Sequence, residues 1–318
     1  EIQKLMAKKD ASRHTYYTRY TGKKWGDSHN YDLTLDSGTL GYDLCVKLIV
    51  AAAQAEDAAV FLHGAADQHR RYQHHSRPGF LAALRRFFSG GTMFTGFTDE
   101  TVDFMWGIRF NNERSWFEAH KQTYLTQFYQ PMCALADELY DFLAEQRPDL
   151  GLIRKVTRIY RDARRLHGRG PYKDHLWWSI QRPSEEEFSR RPVFWFELEP
   201  EGWSYGMGYY QAPPLTMAKL RQRLDTRPAP FAKLARQLER DGIFALETEP
   251  YKRPKGDPGA LLRPWYNARS FDLKRDHRGH QAILFCHDLA DRVGEDLETL
   301  MPVYRYILSV EADPDPRA

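Results

Sequence analysis

From residue 93 onward the spacing of apolar positions passes through three regimes. Up to about residue 145 the period is helical: Thr98 can cap a helix whose first turn carries Asp99 and Glu100 and whose stripe is Val102, Met105 and Ile108. A second helix begins at Glu113 and gathers Trp116, Phe117, His120 and Tyr124 on one face. Pro131 suits the first turn of a third, bearing Leu135, Leu139 and Phe142. After Gly151 the period becomes two. Residues 156–162, 176–181, 193–199 and 203–211 read as strands, the last two joined through Glu201-Gly202 as a hairpin, and 244–247 and 268–273 add two more. Helical spacing returns at 217–224, 231–240 and 289–308. Helices before and after a run of strands predict an α+β domain, an antiparallel sheet flanked by helices, over residues 93–318.

The preceding segments differ. Residues 8–20 and 42–53 have helical spacing and 31–36 alternate, which is too little for an independent core. Residues 57–92 lose periodicity: His63, His69, His74 and His75 stand among Arg70, Arg71, Arg77, Arg85 and Arg86, and read as a linker rather than a metal site. The 318-residue chain carries a net charge of +3, and that surplus lies in the linker, since residues 1–56 and 93–318 come to +1 and −1. Such a balance speaks against a nucleic-acid partner. The longest aliphatic stretch, 48–53, is far shorter than the roughly 20 residues of a bilayer span, so no membrane partner is expected. Cys45, Cys133 and Cys286 form no C-x-x-C pair and fit a reducing cytoplasm.

Local chemistry concentrates in residues 151–174, where eight Lys and Arg residues accompany Asp162 and Asp174. Arg158, Arg161, Arg164 and Lys173 are the candidate anion-binding residues, because guanidinium forks match phosphate and carboxylate and Lys adds a point charge. Asp162 could orient the arginines. Asp162 and His175 are also the candidate general bases if the domain is an enzyme. Gly202-Trp203-Ser204-Tyr205-Gly206 matches the G-x-S-x-G nucleophile elbow, but Trp203, Tyr205, Met207 and Tyr209 alternate straight through it, so Ser204 belongs inside a strand. The aromatic runs Trp177-Trp178, Phe194-Trp195-Phe196 and Tyr209-Tyr210 could stack on bases, although core packing is the default for alternating strands. Asp174-His175 lacks an evident third metal ligand, and neither a metal nor a cofactor is expected.

Two segments resemble known families. Lys9-Asp10-x-x-Arg13-x-x-Tyr16-Tyr17, Tyr20-Thr21-Gly22-Lys23-Lys24-Trp25-Gly26-Asp27 and Asn30-Tyr31-Asp32-Leu33 resemble the C-terminal end of the cytidylate kinase-like family. That resemblance implies an incomplete α/β fragment over residues 1–56, with Asp10 and Arg13 as remnants of a nucleotide contact. No G-x-x-x-x-G-K-[ST] occurs, so kinase turnover by this sequence alone is not expected unless a P-loop domain lies upstream. Asn111-Asn112-Glu113-Arg114-x-Trp116-Phe117, Arg158-Ile159-Tyr160-Arg161-Asp162-x-Arg164, Gly170-Pro171-Tyr172-Lys173 with His175, and Tyr251-Lys252-Arg253-Pro254-Lys255-Gly256 resemble the bacterial family called domain of unknown function 2461 over residues 93–309. The resemblance supplies a domain and no reaction. Many members carry an acidic residue in the turn before Pro-Tyr-Lys where Gly168 stands here. Met93 resembles a natural start of that family, as if two neighbouring genes were read as one. The resulting expectation is a small anionic metabolite or nucleotide as ligand, against the alternatives of an enzyme or a partner-binding module.

Overall fold

The computed structural model describes Cys45 and residues 93–145, 147–162, 170–183 and 190–316. The chain separates into two units, Glu1–His74 and His75–Ala318. Apart from Cys45, every described residue belongs to the second. The N-terminal helices and strand, the 57–92 linker, Asp10, Arg13 and Arg164 lie outside the described residues.

Helix α1, Asp99–Phe110, begins where expected: Thr98 has extended backbone and donates its N–H to Thr101 Oγ1 at 3.1 Å. The two following helices form one run, with α2 (Arg114–Thr123) passing through a π-helical turn, Tyr124–Tyr129, into α3 (Gln130–Glu145). Pro131 explains the change of register. It has no N–H to offer the carbonyl four residues earlier, that of Gln127, and the Thr101 hydroxyl donates to that carbonyl instead. The proline expected to start a helix therefore marks a π-turn within one.

Strands β1 (Ile153–Val156), β2 (Leu176–Gln181), β3 (Val193–Glu199) and β4 (Gly202–Tyr209) follow as an antiparallel meander. Helices α4 (Pro214–Thr226) and α5 (Pro228–Asp241) then lead to β5 (Ala245–Pro250), the short α6 (Arg263–Tyr266), β6 (Ala268–Arg278) and the long α7 (Asp288–Glu311). Among the described residues these strands make one six-stranded antiparallel sheet in the order β1-β2-β3-β4-β6-β5. The fold is thus α+β.

The first strand differs from expectation. It covers 153–156 rather than 156–162, and beyond it the ladder continues only as a bridge between Tyr160 and Tyr172, with Arg161 N–H on Pro171 O and Lys173 N–H on Ile159 O. Two chain segments there approach too briefly for a regular strand.

Alternation decides which side chains meet the helices. Leu176, Trp178, Ile180, Phe194, Phe196, Leu198, Trp203, Tyr205, Met207 and Tyr209 are buried, and α3 packs on β1 and β2 while α7 packs on β4. Each large side chain so buried contributes about 1.5–3 kcal/mol. One buried acidic residue is Asp296 on α7, which accepts from the Tyr205 hydroxyl at 2.6 Å and pairs with Arg275.

Candidate functional site

The other face of the sheet is chemically different. There β4 presents Gly202, Ser204, Gly206 and Gly208, so its centre is nearly bare. A Cβ on Gly206 would meet Leu273 O at 1.9 Å, and one on Gly208 would come within 2.7 Å of the Tyr210 ring. The G-x-S-x-G run is therefore straight strand and floor, with Ser204 in register between Glu197 and Asp276, and no elbow exists. Across this floor Trp195 of β3 reaches β6, its indole N–H donating to Asp272 Oδ1 at 3.0 Å. The Tyr210 hydroxyl donates to Asp272 Oδ2 at 3.2 Å.

These side chains border a cavity of about 420 Å³. Trp177, Trp195 and Tyr210 supply aromatic walls; Glu197, Glu247 and Asp272 supply carboxylates; Lys274 is the cation. Burial pushes the Asp272 carboxyl up to about 6, against the opposing pull of the Trp195 and Tyr210 hydrogen bonds. Burial also raises Glu197. Burial opposes the charge of Lys274, but its ion pair with Asp276 at 2.8 Å, together with the charges of Glu247 and Asp272, holds its pKa above the usual value. The sequence's aromatic pairs are split by alternation: Trp178, Phe194, Phe196 and Tyr209 enter the core, whereas Trp177, Trp195 and Tyr210 line the cavity.

At the β2 edge the two most distinctive motifs meet. Asn112 donates to Tyr172 O at 2.9 Å and accepts from Tyr172 N–H at 3.0 Å, copying a β-bridge with one side chain. Gly170 passes so close that a Cβ there would lie 2.2 Å from Asn112 Oδ1, and Phe117 stacks on Tyr172 at 4.3 Å. This clamp fixes the turn that carries Lys173, Asp174 and His175. Asp174 accepts from Arg109 Nε at 2.6 Å and faces His175 Nδ1 at 2.9 Å; the latter contact, then Arg109, holds its carboxyl well below the usual range. His175 Nε2 in turn lies 3.7 Å from Glu197, so the imidazole bridges the edge to the cavity.

The expected anion residues are distributed unevenly around this edge. Arg161 is engaged: its Nε donates to Tyr172 O at 2.8 Å and its Nη2 lies 3.8 Å from Asp174. Lys173 is half-buried, and burial followed by the nearby Arg161 charge lowers its pKa. Arg158 is exposed, and its charge is felt by Tyr129. Asp162 is exposed. Glu197, Asp272 and Lys274 were not anticipated as a group; the signal that could have found them is glycine alternation in β4 beside paired aromatics.

A family model described as "Conserved hypothetical protein (DUF2461)" matches residues 100–306. The chain belongs to the DUF2461 family. The DUF2461 match runs from α1 into α7 and contains the Asn112 clamp and the residues of the cavity. A model of the cytidylate kinase-like family matches residues 1–39, where this chain is similar to it. A search of curated proteins gave no match. No helix among the described residues is long and apolar enough to cross a membrane. One further cluster, His287, Asp288 and Asp291, has ligand atoms within 4.8 Å of one another. It sits at the N-terminus of α7, where carboxylates complement the helix dipole and a cation is disfavoured, and His287 already faces Glu138 at 3.3 Å.

Proposed function

We propose that the DUF2461 domain binds a small, ring-bearing molecule rich in hydroxyl or amino groups on the open face of its sheet. The observation that carries this reading is the carboxylate of Asp272, presented over a side-chain-free floor between Trp195 and Tyr210 inside a cavity of ligand size. Aromatic faces suit the C–H face of a sugar or an ammonium group, and carboxylates accept hydrogen bonds from hydroxyls and amines. Three carboxylates against one lysine favour a donor-rich ligand over a purely anionic one.

Of the residues expected to hold an anion, Lys173 adds a positive charge close enough to Glu197 to affect its titration. Arg161 serves the turn instead. A second reading, acid–base catalysis, is favoured by Asp272 itself, since a carboxyl near 6 can both donate and accept a proton around neutral pH. His175 would then position Glu197 rather than contact the ligand, as both of its ring nitrogens face carboxylates. We assign no reaction to residues 1–39, because the sequence contains no Walker A motif. A reducing compartment belongs to the same proposal.

The test is a thermal-shift and calorimetric panel of amino sugars, polyols, nucleosides and polyamines on the full chain. At about a hundredfold excess over Kd a true ligand stabilises by about 2.7 kcal/mol. Binding should vanish in Trp195→Phe and Asp272→Asn. Silence across the panel, or hits indifferent to both substitutions, would remove the reading. Turnover of any glycoside or ester analogue that is lost in Asp272→Asn would select the catalytic version.

A further inference from the structure

A second cavity, of about 310 Å³, adjoins the first. Tyr210 lines both. On its far side the charged residues lining the cavity are no longer acids: they are Arg190 and Arg269, beside the Ala212-Pro213-Pro214 corner. The sign of the lining charge therefore reverses across a single phenol ring. Arg269 is held by Glu249 at 2.6 Å, but both partners are more than half exposed, at 58% and 54%. An ion pair so exposed is weak and exchanges easily for another anion. Pro213 and Pro214 have no N–H and stiffen the wall without adding donors. Arginine is the side chain whose planar fork best fits a phosphate or carboxylate.

We infer that the second cavity is an anion subsite for the same ligand. The donor-rich ring would lie on Trp177 and Trp195, and a phosphate or carboxylate substituent would pass Tyr210 to Arg190 and Arg269. This deepens the proposed function and rests on it for the ring, but not for the anion. It names the substrate class as a hydroxylated or amino ring bearing one anionic group, of which a hexosamine phosphate is the simplest probe. The acidic cavity would exclude the anionic end and the basic one would receive it, so the pair of cavities fixes the direction in which the ligand lies.

The experiment uses two probes on the full chain at constant ionic strength. Inorganic phosphate, followed by amide shifts in 1H–15N spectra, should perturb residues around Tyr210–Thr216. The double variant Arg190→Gln, Arg269→Gln should weaken phosphate by about fivefold or more. Glu249→Gln, which releases Arg269, should tighten it by about twofold, giving a readout of opposite sign if the double variant folds poorly. Glucosamine 6-phosphate should bind about tenfold more tightly than glucosamine, and that preference should disappear in the double variant. Phosphate shifts located elsewhere, equal affinity in the double variant, or no preference for the phosphorylated sugar would overturn the subsite. If phosphate behaves as expected while no ring compound responds to Trp195→Phe, the ring-binding reading falls and the anion subsite stands.

Discussion

Replacing Asn112 with alanine removes the two hydrogen bonds that hold the Tyr172 backbone, and the loss can be worked through atom by atom. The Tyr172 carbonyl keeps a donor, because Arg161 Nε also reaches it at 2.8 Å. The Tyr172 N–H loses its partner on a residue only 3% exposed. Two ordinary hydrogen bonds contribute about 0.5–1.5 kcal/mol each, and an orphaned donor costs about 1–3 kcal/mol in place of one of them, so Asn112→Ala should destabilise the domain by about 3 kcal/mol. For a domain of this size that lowers the melting midpoint by about 6–12 °C. Asn112→Asp keeps the acceptor for the Tyr172 N–H but sets a carboxylate oxygen against the Tyr172 carbonyl, so it should cost about 1–3 kcal/mol. Urea unfolding monitored by tryptophan fluorescence measures both. A loss below about 1 kcal/mol in Asn112→Ala would refute the clamp.

Gly170→Ala places a methyl group 2.2 Å from Asn112 Oδ1 and should cost about 1–3 kcal/mol in the same urea assay. Asp272 has a folded pKa of about 6 against a reference of 3.8, so the folded state binds the extra proton between those values. Its stability should fall by up to about 3 kcal/mol as pH rises from about 4 through 6, and Asp272→Asn should flatten that limb of the stability profile. His287 has its pKa raised above 6.5 mainly by its contact with Glu138 at 3.3 Å, so its contribution is complete below 6.5 and is lost as pH rises through the folded value. Denaturant midpoints above pH 6.5 should therefore decline in the wild type and not in Glu138→Gln.

The sheet was readable because period two is unmistakable in Leu176–Gln181 and Val193–Glu199, whose bounds coincide with expectation. The run at 156–162 also alternates, yet beyond Val156 it forms only a bridge, since a strand requires a neighbour along its length and Tyr172 supplies one for a single residue. Basic density in residues 151–174 pointed to anions; what it could not reveal is that Arg161 is held by a carbonyl sixty residues from its clamp partner Asn112, a relation fixed only by tertiary packing. The cavity was partly legible. Adjacent aromatics in an alternating strand must point to opposite faces, so Trp177-Trp178 and Tyr209-Tyr210 already placed one large ring on each face. Which face is covered by helices cannot be read from that pattern alone.

The open face is also expensive in a way that separates function from scaffolding. A carboxylate held near 6 lowers folded-state stability at neutral pH, and an asparagine can keep both partners, its oxygen accepting from the Trp195 indole and its amide donating to the Tyr210 hydroxyl oxygen. Asp272→Asn is therefore expected to stabilise the domain at pH 7 by up to about 3 kcal/mol while losing the donor-rich ligand. Stabilisation with loss of binding is what a site residue gives when its charge serves a ligand rather than the fold. The opposite outcome, a destabilised variant, would mean that Asp272 chiefly anchors Trp195 and Tyr210 to each other across the glycine floor. Equilibrium unfolding of wild type and Asp272→Asn at pH 5 and pH 7 distinguishes the two, because the functional reading requires the stabilisation to shrink at the lower pH, where the wild-type carboxyl is already protonated.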